Sequence, residues 1–194
     1  MTARTRSGTL TGIALGAVLV SVCAQVSVPI PGSPVPQSLQ TLAVVLVGVV
    51  MGPIRGAICL LLYVVLGAVG LPVFADGAAG AEHLRGPTAG YLAGFVLGAA
   101  ASGLWSSVVE RLSGASEGPA SAWAEAGAVF AVGLLAHVVI LGFGGLRLAG
   151  MIGPSLAFTT GVAPFLVGGL AKSLMDAGGW LLVRPLDPFE RRPS

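Results

Sequence analysis

An all-α membrane protein, a compact bundle of six transmembrane helices, is the fold class the sequence predicts, and three observations carry it. Only 9% of the 194 residues are Asp, Glu, Lys or Arg and 55% are hydrophobic, against roughly 25% charged in an ordinary soluble domain. The 10 basic and 8 acidic side chains sit in short clusters. Between them run apolar stretches that approach or exceed the roughly 20 residues a helix needs to cross hydrocarbon. The chain also has 30 glycines, many inside those stretches, where small residues let helices approach closely in lipid. A net charge of +2 without a basic patch excludes a nucleic-acid binder, and the apolar content excludes a soluble enzyme or a disordered chain.

The elements follow in order as one domain over residues 1–194. No residue from Ser7 to Ile54 is charged, and the run is interrupted by Pro29, Pro31, Gly32, Pro34 and Pro36. Proline lacks the backbone donor and restricts the residue before it, so this interruption belongs at an interface or against a lined cavity, not in a helix. The run therefore reads as two spans, 8–27 and 37–52, joined by a stiff loop. Ser21-Val22-Cys23 is neither an A-x-A-like cleavage site nor a good lipoprotein site, so an uncut first helix is expected. A third span, 55–74, follows Arg55. The uncharged run Gly86 to Val109 places a fourth at 88–109, and Ala126 to Leu146, containing His137, a fifth at 123–146. The sixth, 157–184, continues past Lys172 and Asp176.

Basic residues set the orientation, because loops rich in Lys and Arg stay in the cytoplasm. Cytoplasmic termini put Arg4, Arg6, Arg55, Arg111, Arg184, Arg191 and Arg192 inside and leave Arg85 and Arg147 on outer loops. Trp105, Trp123 and Trp180 then fall near cytoplasmic helix ends, and the prolyl loop at 28–37 and the Asp76 to Arg85 loop share the outer face. Gly8, Gly12 and Gly16 align on one face of the first helix, which suits either a membrane partner or packing within the same bundle. Cys23 and Cys59, inside apolar runs, read as small packing residues.

Ionisable groups inside the spans are few: His137, Lys172 and Asp176. Such groups are costly in hydrocarbon and are functional candidates by default. Lys172 and Asp176, four apart, share a helix face; they form either a neutralised structural couple or a site in which Lys172 offers a fixed positive charge to an anionic ligand. His137 has no second ligand at metal spacing and is expected to hydrogen-bond a neighbouring helix. Gly168-Gly169-Leu170-Ala171-Lys172-Ser173 lacks the glycine of a phosphate loop before its lysine and lies in an apolar helix. No enzyme motif, metal site or cofactor site is expected, and any ATP-driven step would need another polypeptide.

Four ordered blocks carry a family resemblance. The stretch from Val28 to Leu42, with Pro34-Val35-Pro36-Gln37-Ser38-Leu39-Gln40-Thr41-Leu42 at its end, resembles the P-x-P-V-P-x-(T/S)-L-Q-T-L signature of the BioY family, biotin-binding S components of energy-coupling factor (ECF) transporters. Gly52-Pro53-Ile54-Arg55-Gly56-Ala57 through Leu61 to Ala75, then Gly86-Pro87-Thr88-Ala89-Gly90-Tyr91-Leu92, and finally Pro164-Phe165-Leu166 with Lys172 are similar to its later blocks. The resemblance spans roughly residues 10 to 185. It implies a multi-pass protein of the bacterial cell (inner) membrane that binds biotin as transported ligand, with a transmembrane T component and ATP-binding subunits as partners. It further implies that Lys172 meets the valerate carboxylate, that Asp76 stands where an Asn often serves the ureido group, that Tyr91 lies beside the pocket, and that the loop from Pro34 to Gln40 is part of a lid with Gln40 a polar contact. One departure stands out: the family's acidic residue three positions before the lysine is Gly169 here, and Val167 replaces the preceding proline. This removes an acceptor worth about 1 kcal/mol, which either Asp76 or, one turn deeper, Asp176 replaces. The alternative reading is a solitary ion-coupled carrier of biotin or a biotin precursor, with Asp176 or His137 relaying a proton.

Overall fold

The structure, a computed structural model, describes residues 3–113 and 119–183. Helix α1 spans Ala3–Gln25, and the proline-interrupted segment after it is not helical. It is a hairpin whose arms, β1 (Ser27–Val28) and β2 (Gln37–Ser38), pair antiparallel with Ser27 opposite Ser38. Helices α2 (Gln40–Met51) and α3 (Pro53–Ala68) follow, then a loop with two 3-10 turns, Ala75–Gly77 and Ala81–Leu84. Helices α4 (Ala89–Ser113) and α5 (Pro119–Ile152) are long. The last helical run comprises α6 (Pro154–Ala157), a π turn (Phe158–Val162) and α7 (Ala163–Val183), joined through residues that keep helical dihedrals.

Two helix junctions share one solution. Gly52 (φ 78°) separates α2 from α3, and Gly153 (φ 86°) separates α5 from α6, each followed by a proline at the first helical position. The left-handed backbone suits glycine, and the proline's missing donor falls where no intrahelical bond was due. Two helices end elsewhere than the expected span boundaries. The fifth span does not end at Leu146: α5 continues to Ile152 and Arg147 is helical, its guanidinium donating to the carbonyl of Arg85. A charge marks where a helix leaves hydrocarbon, whereas Gly153-Pro154 is what stops it. Helix α3 ends at Ala68, ahead of Gly70 at φ 107° and Pro72, so residues 69–74, placed in the third expected span, belong to the following loop.

Four helical segments, Gly8–Gln25, Ala89–Ser107, Ala122–Ile152 and Pro154–Leu182, are long and apolar enough to cross a membrane, and α2 and α3 are shorter apolar helices. Helix α4 packs against α2, α3 and α5, while α7 lies against α5 and α2 and α1 covers α2 and α3. The α4–α5 contact is close because Gly90, Gly94 and Gly98 form one stripe. A Cβ at Gly94 would stand 2.9 Å from the Cα of Ile140, and one at Gly98 would stand 3.1 Å from its side chain. Val44, Leu60, Tyr63, Ala99 and Ile140 fill the core between these helices. Cys59 is buried there as a free thiol and bonds the carbonyl of Ile13 at 3.3 Å, and Cys23 is also free.

The bundle has two distinct ends. Gly103 of α4 abuts Gly52 and Pro53 at the α2–α3 turn, and Trp180 of α7 donates to Glu125 of α5 at 3.2 Å, so Arg55 and the tryptophan-bearing helix ends lie together. At the other end the hairpin, the α3–α4 loop and the Arg85–Arg147 contact converge. Arg184, Arg191 and Arg192 lie outside the described residues, as do the side chains of Arg4, Arg6 and Arg111.

Candidate functional site

A cavity of about 330 Å³ opens beneath the hairpin and the α3–α4 loop. Its walls are largely apolar: Val35 of the hairpin, Phe74 of the loop, Tyr91 and Phe95 of α4, Ile140 of α5 and Phe165 of α7. That volume is in the range of small-molecule pockets, which pair apolar walls with a few placed polar groups. The polar groups come from two sides. Asp76, His83 and Thr88 approach from the loop, and Thr41, His137 and Lys172 from the helices.

On the helix side Lys172 is 7% exposed and its ammonium donates to Oγ1 of Thr41 at 3.0 Å. It makes no hydrogen bond to Asp176, the partner in one of its two readings. Both carboxylate oxygens of Asp176 are buried without a hydrogen-bond partner, and the residue does not line the cavity. A base placed before its acid is the weaker of the two i,i+4 orders, and the Thr41 hydroxyl across the helix interface takes the ammonium instead. Of the two acidic residues that could stand in for the acceptor Gly169 lacks, Asp76 lines the cavity and Asp176 does not. His137 bonds a neighbouring helix as expected, with Nε2 3.1 Å from Thr41 Oγ1 and Nδ1 2.8 Å from the carbonyl of Gly133.

On the loop side Asp76 is exposed at the cavity's edge and, among the described residues, is the one non-glycine with positive φ, at 59°. Aspartate tolerates this conformation better than most residues. Ser27 of β1 donates to Oδ1 of Asp76, tying the hairpin to the loop. Gln40 is buried and lines the cavity, but both ends of its amide serve the protein. Ser38 donates to Oε1 at 2.7 Å, and Nε2 donates to the Tyr63 hydroxyl. Tyr91 donates to the carbonyl of Gly161 in the π turn at 2.6 Å, and its ring leans on Phe165 with centroids 6.1 Å apart.

Lys172, Asp76, Tyr91 and Gln40 are thus gathered at one cavity, and Asp176 is not. The glycine stripe of α1 divides. A Cβ at Gly8 or Gly12 would meet nothing within 4 Å, whereas Gly16 is packed inside against Cys59 and Met51. Thr41 and His137 also line the cavity, and their sequence context assigns neither of them to a ligand. Thr41 sits in the Gln40-Thr41-Leu42 block, which was a signal. The only mark on His137 was that it is ionisable within an apolar helix.

Fold and cavity together define a helical membrane protein that encloses a largely apolar cavity of small-molecule size. The fold is that of a crystal structure of the S component for biotin from an ECF-type ABC transporter, with a TM-score of 0.80 over 98% of this chain and 97% of that one at 23% identity. A sequence model of the BioY family matches residues 1–186, and the chain belongs to that family. A probable biotin transporter BioY of Pyrococcus horikoshii is 37% identical over 83% of this chain and 86% of its own. A biotin transporter BioY of Rhodobacter capsulatus is also 37% identical, over 97% of this chain and 96% of its own. The family and these relatives are transporters and not enzymes.

Proposed function

We propose that this protein is a biotin-capture S component, a multi-pass protein of the bacterial cell membrane that binds biotin in the cavity under the hairpin and passes it inward with an ECF module. The observation that carries this reading is the single lysine of the chain, buried in the wall of a largely apolar cavity in a member of a family of biotin transporters. In that reading six helices span the membrane with cytoplasmic termini, so the cavity end faces out. Lys172 meets the valerate carboxylate. The thiophane ring lies among Tyr91, Phe95 and Phe165, and Asp76 accepts from a ureido N–H. The hairpin from Pro34 to Gln40, tied to Asp76 through Ser27, acts as a lid. Gly8 and Gly12 leave a face of α1 open for the T component, which links the protein to its ATP-binding subunits.

Equilibrium binding of biotin, desthiobiotin and an unrelated vitamin to the detergent-purified protein tests the ligand. Biotin should bind with nanomolar to micromolar affinity and the unrelated vitamin should not. Lys172→Ala should raise the Kd for biotin by about 10- to 100-fold, the loss of a charge-assisted hydrogen bond. Unchanged affinity in that variant would remove Lys172 from the site. Uptake of labelled biotin with and without a co-expressed T component and ATPases tests the partnership. Full uptake without them would refute it.

A further inference from the structure

The hydrogen bonds around Thr41 have a direction. The carbonyl of Gly133 can only accept, so Nδ1 of His137, 2.8 Å from it, carries the ring hydrogen. In the neutral ring Nε2 is then an acceptor, and its partner is the Thr41 hydroxyl at 3.1 Å. Thr41 has one proton to give. It goes to the imidazole, which leaves the oxygen lone pairs for the Lys172 ammonium at 3.0 Å. The relay runs from Lys172 to Thr41, from Thr41 to His137 and from His137 to the α5 backbone, with all three side chains on the cavity wall.

The seat of the imidazole is made by glycine. A Cβ at position 169 would stand 3.0 Å from Cδ2 and 3.3 Å from Cγ of His137, closer than ordinary van der Waals contact. A Cβ at Gly133 would stand 2.8 Å from Oγ of Ser173. The two glycines let α5 and α7 close around the ring. Gly169 thus does more than omit a side chain from the site, because the ring of His137 packs directly against it.

We infer that His137 is a positioning residue for recognition of the ligand's carboxylate, and that Gly169 is the residue that admits it. The inference rests on the reading of Lys172 as the partner of biotin's carboxylate. An ammonium has three donors, and with one anchored on Thr41 the other two are free for an anionic oxygen. Without the acceptor at Nε2, the Thr41 hydroxyl rotates freely and the long lysine chain loses its anchor. His137 therefore sets the preference for a carboxylate ligand over a neutral one.

The test compares biotin with biotin amide, which lacks the negative charge. His137→Leu and Thr41→Val should each weaken biotin by about tenfold and change the amide by less than about twofold, since the lost hydrogen bond acts only through the charged contact. His137→Gln, which keeps an acceptor, and Thr41→Ser, which keeps the hydroxyl, should restore most of the loss. Gly169→Ala should weaken the acid selectively and add nothing to His137→Leu. Equal losses for acid and amide, or no rescue by His137→Gln, would mean that His137 is only a packing residue. The imidazole ¹⁵N signals of the intact protein read the relay without any ligand. They should show the Nδ1–H tautomer, with an Nε2 signal that moves in Thr41→Val, and an Nε2–H tautomer overturns the inference. A parent protein that binds the amide as well as the acid would contradict the assignment of Lys172 to the carboxylate, and the ¹⁵N signals would still decide the relay.

Discussion

Tyr91 joins packing and site in one side chain. Its ring occupies the space left by Gly144, its hydroxyl reaches the carbonyl of Gly161, and its face is part of the cavity wall. Tyr91→Phe leaves that carbonyl without its partner and should cost about 1 kcal/mol of stability, read as a lowered Tm in detergent. An unchanged Tm would mean the bond contributes nothing. At this scale legibility was uneven. Lys172 stood out because a lone lysine in an apolar helix is costly, and it does line the cavity. The Thr41–His137 contact was not, because the two residues are 96 positions apart and nothing local in either helix records it. The choice of Lys172 between Asp176 and another partner stayed open, because i,i+4 spacing makes two side chains neighbours without choosing which partner a long one takes.

Among the elements, the helices form where the apolar runs are, and α2, α3 and α5 stop at or just before a glycine of positive φ. Charge was a poor guide to ends, as α5 shows by carrying Arg147 inside its last turns. Small-residue stripes were harder to read, since many glycines recur at four-residue spacing. The stripe on α1 packs only through Gly16, while Gly90, Gly94 and Gly98 on α4 form a close helix contact along their whole length. Gly94→Val therefore forces α4 away from the Ile140 backbone and should destabilise the protein by about 1–3 kcal/mol. Gly127→Ala, on an open part of α5, should be neutral or stabilise by about 0.5–1 kcal/mol. Thermal unfolding of both variants side by side checks the contrast. Equal Tm values would show that the α4–α5 contact tolerates separation.

At the scale of the whole molecule the two ends have different work. One gathers the hairpin, the α3–α4 loop and the cavity mouth. The other gathers Arg55 and the tryptophan-bearing helix ends. The open stretch of α1 at Gly8 and Gly12 lies on neither cavity wall nor core. Gly12→Leu should therefore leave biotin affinity within about twofold of the parent while reducing co-purification of the T component. Intact assembly would move the docking face elsewhere, and lost binding would show that α1 shapes the cavity.

By itself the sequence determined that the chain is a helical membrane bundle, that its proline-rich segment is not helical, and that its one lysine lies within an apolar helix. Those follow from composition, from the missing donor of proline and from the cost of charge in hydrocarbon, all of which act along the chain. Only the tertiary structure decided that Lys172 turns to Thr41 instead of Asp176, that Asp176 stays off the cavity wall, and that Gly169 and Gly133 open a seat for His137. These depend on how closely α2, α5 and α7 approach one another, a distance set by residues far apart in sequence.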